Sequence, residues 1–247
     1  MSQPLRRGTV RARWRRYGER MWTDAMHDNL DQIRQVVAAE ADAKGSRDIV
    51  DLGCWDGATT SKYVPDGCRV IGVEMSAEAG QRAAERGWKV VQADLNERIP
   101  LEDCICDVVT SNQVIEHLSD TDRFVSETYR LLQPGGMAVI STENLASWHN
   151  IVSLLLGWQA FSLSNVSALR PGLGNPIALW HDAAILEDRT GWYHQRIFSY
   201  RGLQELATAV GFTEVRVFGA GYYPLRTSVA HRDPRHAAFI TLVGRKP

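Results

Sequence analysis

The chain has 247 residues, 44% of them hydrophobic and 23% charged, which is an ordinary soluble composition with enough length for one sizeable core. No apolar run approaches the length of a membrane span and there is no secretory h-region, so the sequence predicts a cytoplasmic protein without a transmembrane segment. The net charge of −1 hides an asymmetry: residues 1–20 hold seven arginines and one glutamate, and the remainder carries −7.

That basic arm, with Arg6, Arg7, Arg11, Arg13, Arg15, Arg16 and Arg20, reads first as a solvated, partly disordered leader. Its other reading is a grip on nucleic-acid phosphates or an anionic membrane surface. Trp22, Met26, Leu30, Ile33 and Val37 then recur at helical spacing, predicting a helix docked on a sheet edge before the polar break at residues 43–47. An apolar run over residues 49–52 predicts a buried strand that ends in Gly53-Cys54-Trp55-Asp56-Gly57, and residues 58–63 can start a helix. Glycine at 53 allows a sharp turn and a close approach to a ligand, and Asp51 can accept hydrogen bonds from ammonium or hydroxyl groups.

A second strand, residues 70–73, ends at Glu74, 21 residues after Gly53, where a nucleotide-binding sheet places an acid on ribose hydroxyls. Residues 76–87 read as a crossover helix with Ser76 as N-cap and Gly87 as stop. Strands over 89–93 and 106–110 end at Asp94 and at Ser111-Asn112-Gln113. A helix over 121–133, closed by Pro134-Gly135-Gly136, leads to a strand over 137–141. This alternation calls for a parallel, doubly wound sheet whose strand ends converge on one crevice.

From 142 to 193 the periodicity fails. The apolar patch 151–158 and the turn-rich run 170–176 read as a lid and substrate pocket over that crevice; a core helix and a shallow membrane-surface or dimer contact remain as alternatives. Pattern resumes with Ser199 as N-cap and with Leu203, Leu206, Ala207 and Val210 on one helix face, stopped by Gly211. Two strands, 212–218 and 237–244, flank an aromatic loop at 219–225. Cys54, Cys68, Cys104 and Cys106 include no Cys-x-x-Cys pair and read as reduced, packed thiols.

Six features stand in one order: Asp51-Leu52-Gly53-Cys54-x-x-Gly57, Glu74, Ala93-Asp94-Leu95, Ile115-Glu116-His117-Leu118, Leu131-Leu132-x-Pro134-Gly135-Gly136 and Gly211-Phe212. Together they resemble the class I S-adenosylmethionine-dependent methyltransferases, in the small-molecule branch related to ubiquinone-biosynthesis O-methyltransferases. The resemblance covers roughly residues 47–145 and 194–245. It implies a Rossmann-like sheet of seven strands, mostly parallel with an antiparallel C-terminal hairpin. Residues 1–247 then form one domain: a basic arm and helix to 46, a cofactor core from 47 to 145, the insertion from 146 to 193 and the rest of the core from 194. By the same resemblance, residues 53–57, including Cys54 and Trp55, pass the methionine part of S-adenosyl-L-methionine. Glu74 with Met75 beside it takes the ribose, Asp94 and Leu95 hold adenine, and Ser111, Asn112 and Gln113 complete the site. The family usually has glycine where Trp55 stands, so the indole either loosens the backbone approach or walls the pocket.

Methyl transfer is an in-line displacement in which alignment does much of the work, and a hydroxyl acceptor adds the need for a base. His117 and His194 are the candidates, with His149 and His181 inside the insertion behind them. Some methyltransferases resembling this one use a Glu-x-x-Glu-His metal motif at His117; here the first acid is Gln113, and no metal is expected. The expected activity is methylation of a small-molecule hydroxyl on a sugar, glycan, quinone or secondary metabolite. A nucleic-acid methyltransferase using the basic arm and a nonenzymatic S-adenosylmethionine-binding protein are the alternatives.

Overall fold

The computed structural model describes residues 7–44, 48–167, 169–170, 172–178 and 193–247. The expectations for Arg6, for the break at 45–47, for His181 and for most of the second half of the insertion lie outside them. Seven strands form one sheet: β1 (Asp48–Leu52), β2 (Arg69–Glu74), β3 (Lys89–Gln92), β4 (Cys106–Asn112), β5 (Leu132–Glu143), β6 (Thr213–Ala220) and β7 (Phe239–Arg245). Their order is β3-β2-β1-β4-β5-β7-β6, parallel as far as β5, with β7 antiparallel to both β5 and β6. The order reverses between β1 and β4, so the crevice for a ligand opens outside the carboxyl ends of these two strands.

Burial is continuous along the central strands, as a sheet covered on both faces requires, and successive side chains alternate between two cores. Val50 and Leu52 of β1, Val109 of β4 and Ile140 of β5 face one core, shared with Phe124, Leu131 and Leu203 of α3 (Thr121–Leu131) and α5 (Tyr200–Val210). Ile49, Val108, Val139 and Val243 face the other, against Leu30, Ile33 and Val37 of α1 (Arg7–Lys44). The long helix therefore lies on a face of the sheet and not on its edge. It also begins far earlier than the spacing of Trp22 to Val37 predicts, at Arg7, where the chain is rich in helix-forming arginine and free of proline. The arm is helical from Arg7 onward, where the sequence reads as partly disordered.

Three other elements differ from expectation. Residues 58–63 make only a single 3-10 turn, Thr60–Lys62, since the paired threonines disfavour a helix and Pro65-Asp66-Gly67 follows too soon for one to grow. β5 starts at Leu132, which turns extended at the end of α3 and pairs with Cys106 before a register shift. The apolar patch of the insertion forms a short helix, α4 (Trp148–Leu155), whose Leu154 and Leu155 face outward, so it is no core helix. Elsewhere the caps are those the sequence proposes: Ser76 accepts from Ala79 N at α2 (Ala77–Ala84), and Ser199 accepts from Gly202 N at α5, which Gly211 ends in the left-handed region.

Candidate active site

The turn after β1 is shaped by two residues. Gly53 sits at φ 79°, and a Cβ there would come within 2.5 Å of the Val114 side chain, so only glycine fits. Trp55 also holds a left-handed conformation, at φ 48°, which is uncommon for a bulky residue. Its backbone N–H donates to Glu74 Oε2 at 3.0 Å, while Ser76 N–H donates to Oε1 at 2.8 Å. The Glu74 carboxylate thus ties the β1 turn to the start of α2. Asp51 lies beneath this turn, fully enclosed, and accepts from Thr60 Oγ1 at 2.6 Å, Thr110 Oγ1 at 2.7 Å and the Tyr63 hydroxyl at 3.0 Å. Burial raises its pKa, against the pull of these three hydroxyl donors.

A cavity of about 840 Å³ opens over the strand ends. Gly53, Cys54 and Trp55 line it from β1, Glu74 and Met75 from β2, Asp94 and Leu95 from β3, and Asn112, Gln113, Glu116 and His117 from β4. Glu143 at the end of β5 and His194 close the other side, with Met26 of α1 and Asn165 and Tyr193 of the insertion along the rest of the wall; Trp22, Thr23 and His27 of α1 also line the cavity and are exposed, so they mark its mouth. Three expected contacts are set back from this wall. Asp51 braces the turn, Gly57 N bonds the Cys54 carbonyl, and Ser111 Oγ donates to the Leu52 carbonyl at 3.0 Å.

The β4–β5 side brings together a cluster that sequence spacing does not reveal. The His117 and His194 rings meet edge to face, 4.9 Å between centroids. His194 Nδ1 lies 2.6 Å from the Ser162 carbonyl and His117 Nδ1 3.2 Å from that of Tyr193, so both Nδ1 atoms carry the proton and Nε2 is left as the basic nitrogen. Burial, with His194 second, pushes the His117 pKa down to about 4 and keeps the ring neutral at pH 7. Glu116 is buried, accepts from Thr142 Oγ1 at 2.8 Å through Oε2, and has no hydrogen-bond partner for Oε1 among the described residues. Burial pushes its pKa up to about 7. Glu143 Oε2 stands 3.7 Å from His194 Nδ1. Glu116, His117 and His194 also offer three ligand atoms within 4.8 Å of one another, the spacing of a cation site. Glu143 escaped the sequence reading because the expected strand stopped at residue 141, and Glu116 entered it only within the motif Ile115-Glu116-His117-Leu118.

The wall carries four carboxylates, Glu74, Asp94, Glu116 and Glu143, against a single lysine, Lys62. That balance suits a ligand with sulfonium and ammonium charges better than a dinucleotide with its pyrophosphate. Comparison with known proteins agrees. Residues 50–140 match the model of the "Methyltransferase domain" family. Over those residues the chain is similar to S-adenosylmethionine-dependent methyltransferases. A probable S-adenosylmethionine-dependent methyltransferase of Mycolicibacterium smegmatis is 39% identical over 100 residues, 40% of this chain and 38% of that one. The ubiquinone biosynthesis O-methyltransferase of Klebsiella pneumoniae is 33% identical over 102 residues, 39% of this chain and 42% of its own. The chain therefore spans only about two-fifths of the length of these curated relatives. The YcgJ protein of Bacillus subtilis shares the fold of this chain, with a TM-score of 0.60 at 16% identity over 89% of this chain and 98% of that one.

Proposed function

We propose that the chain is an S-adenosylmethionine-dependent methyltransferase that methylates a hydroxyl of a small molecule, on a sugar, glycan, quinone or secondary metabolite, seated at the histidine cluster. The observation that carries this reading is the pairing of His117 with His194 beside two carboxylates. Glu74 and Glu143 end β2 and β5, which are three strand spacings apart in the sheet, or about 14 Å. The cofactor's ribose would lie toward Glu74 and the acceptor toward Glu143, on opposite sides of the crevice.

When bound, S-adenosylmethionine supplies an electrophilic methyl on a sulfonium. The chain's own residues do the rest. Glu74 and Met75 take the ribose end, Asp94 and Leu95 the adenine end, and the turn at Gly53 lets the backbone approach the methionine arm. His194 is the base: its Nδ1–H is fixed on Ser162, and its Nε2 takes the acceptor's proton as the oxygen attacks. His117, a weak base when neutral down to about pH 4, packs against His194 and positions it. Asn165 and Tyr193 of the insertion line the acceptor side, and the insertion's role there is to exclude water.

The test is a methyl-transfer assay with labelled cofactor against a panel of such hydroxyl acceptors, with calorimetry on S-adenosylhomocysteine in parallel. His194→Ala is expected to lower turnover by about 10²–10⁴ without a matching loss of cofactor affinity. If neither His194→Ala nor His117→Ala slows the reaction, alignment alone drives it and the base assignment is wrong. Turnover should withstand chelation; loss with chelator that a divalent ion restores would make Glu116, His117 and His194 ligands instead.

A further inference from the structure

Fourteen large apolar side chains are exposed among the described residues, and nine of them fall between Trp148 and Ile177. Leu154, Leu155 and Leu156, at the C-terminal end of α4, are 55%, 81% and 56% exposed, and Leu169 is 98% exposed. Soluble proteins seldom gather exposed leucines in this way unless something covers them. Over residues 144–180 the sequence has a single Lys or Arg, Arg170, and no Asp or Glu.

A cationic helix stands beside this surface. Among the side chains described on α1, the first buried one is Ala25, and Arg13, Arg16 and Arg20 before it are exposed. One loop braces both helices. From α4, Trp148 Nε1 donates to the Tyr222 hydroxyl at 2.7 Å and the His149 ring packs 4.9 Å from that of Tyr223. From α1, the Tyr17 hydroxyl donates to the Pro224 carbonyl at 3.3 Å. Trp22, just over one turn further along α1, lines the mouth of the cavity. Exposed leucines, exposed arginines and the cavity mouth are therefore gathered around one loop.

We propose that this face seats the protein on an anionic phospholipid bilayer. The leucines of α4 enter the interface, the arginines of α1 meet lipid phosphates, and the cavity mouth is held at the membrane surface. A nucleic acid would use the arginines and leave the leucines in water, and a second copy of the chain would bring two sets of arginines together. The inference uses no residue of the histidine cluster and stands apart from the proposed chemistry.

The experiment is vesicle flotation of the full chain with phosphatidylcholine alone and with one-quarter phosphatidylglycerol. Capture is expected to be at least tenfold stronger on the anionic vesicles and to weaken with salt. Leu155→Glu with Leu156→Glu should lower capture at least tenfold while the melting temperature and S-adenosylhomocysteine affinity stay unchanged; Arg13→Glu with Arg16→Glu should weaken it too. Equal capture of the leucine variant would overturn the proposal. So would a lowered melting temperature, which would mean that the leucines are packed within the chain. A dimer that the leucine variant abolishes, or RNA binding without vesicle binding, would assign the face to another partner. Vesicle capture by a chain that fails to bind S-adenosylhomocysteine would sink the methyl-transfer reading and leave this one standing.

Discussion

Trp55 occupies backbone space that glycine fills at lower cost, a difference of about 1–2 kcal/mol. Glu74 holds it there through the Trp55 N–H, so one carboxylate both shapes the turn and faces the cavity. Glu74→Ala should therefore weaken S-adenosylhomocysteine binding by about 1–3 kcal/mol, read by calorimetry; an unchanged affinity would remove Glu74 from the site. At this scale the sequence was informative where one residue's place after a strand decides where it stands, as for Glu74 and Asp94, which both line the cavity. It was silent where partners converge from several elements. Asp51 looks like a ligand contact until Thr60, Tyr63 and Thr110 are folded onto it. Nothing in the spacing of His117 and His194 tells that their rings touch.

The element that positions the cavity mouth is α1, and Asn29 fixes it. Its Nδ2 donates to Asn112 Oδ1 at 3.0 Å, and its Oδ1 accepts from Ser141 Oγ at 3.0 Å and Thr241 Oγ1 at 2.8 Å. This buried node joins the helix to the carboxyl ends of β4 and β5 and to β7. Asn29→Ala should cost about 2–3 kcal/mol of stability in denaturant unfolding, because three buried polar groups lose a partner together; a cost under about 0.5 kcal/mol would mean that apolar packing alone holds α1. The strands and most helices could be read from period and caps. What could not be read was α1's face-on docking, since a helical stripe does not say which surface it covers, and the 3-10 turn at Thr60–Lys62, where tertiary hydroxyl contacts replace helix growth.

Across the whole molecule, buried titratable groups limit the range of pH in which the fold is most stable. His117 and His149 have pKa values lowered to about 4 and about 3 by loss of water around the rings. Their neutral forms favour the folded state above pH 6.5, and that contribution is lost as pH falls through 4 and toward 3. Glu116, raised to about 7, acts with the opposite sign: its contribution is full below about 4.5 and is lost as pH rises through 7. Between about pH 4.5 and 6.5 the two histidines gain more than Glu116 loses as pH rises, so stability should peak near pH 6.5 and decline toward pH 7. Glu116→Gln should flatten the neutral limb by up to about 3 kcal/mol in urea unfolding followed against pH; an unaltered limb would show that Glu116 ionises as freely folded as unfolded. The charge asymmetry also has a consequence for motion. Seven arginines in the first twenty residues, ahead of a body at −7, make the molecule a permanent electric dipole. From Arg7 to Ala25 the helix spans about 27 Å, several times the roughly 8 Å over which salt screens a charge. Near a negatively charged sheet of any kind, attraction at the helix tip and repulsion of the body exert a torque, turning the molecule arginine-first before contact is made.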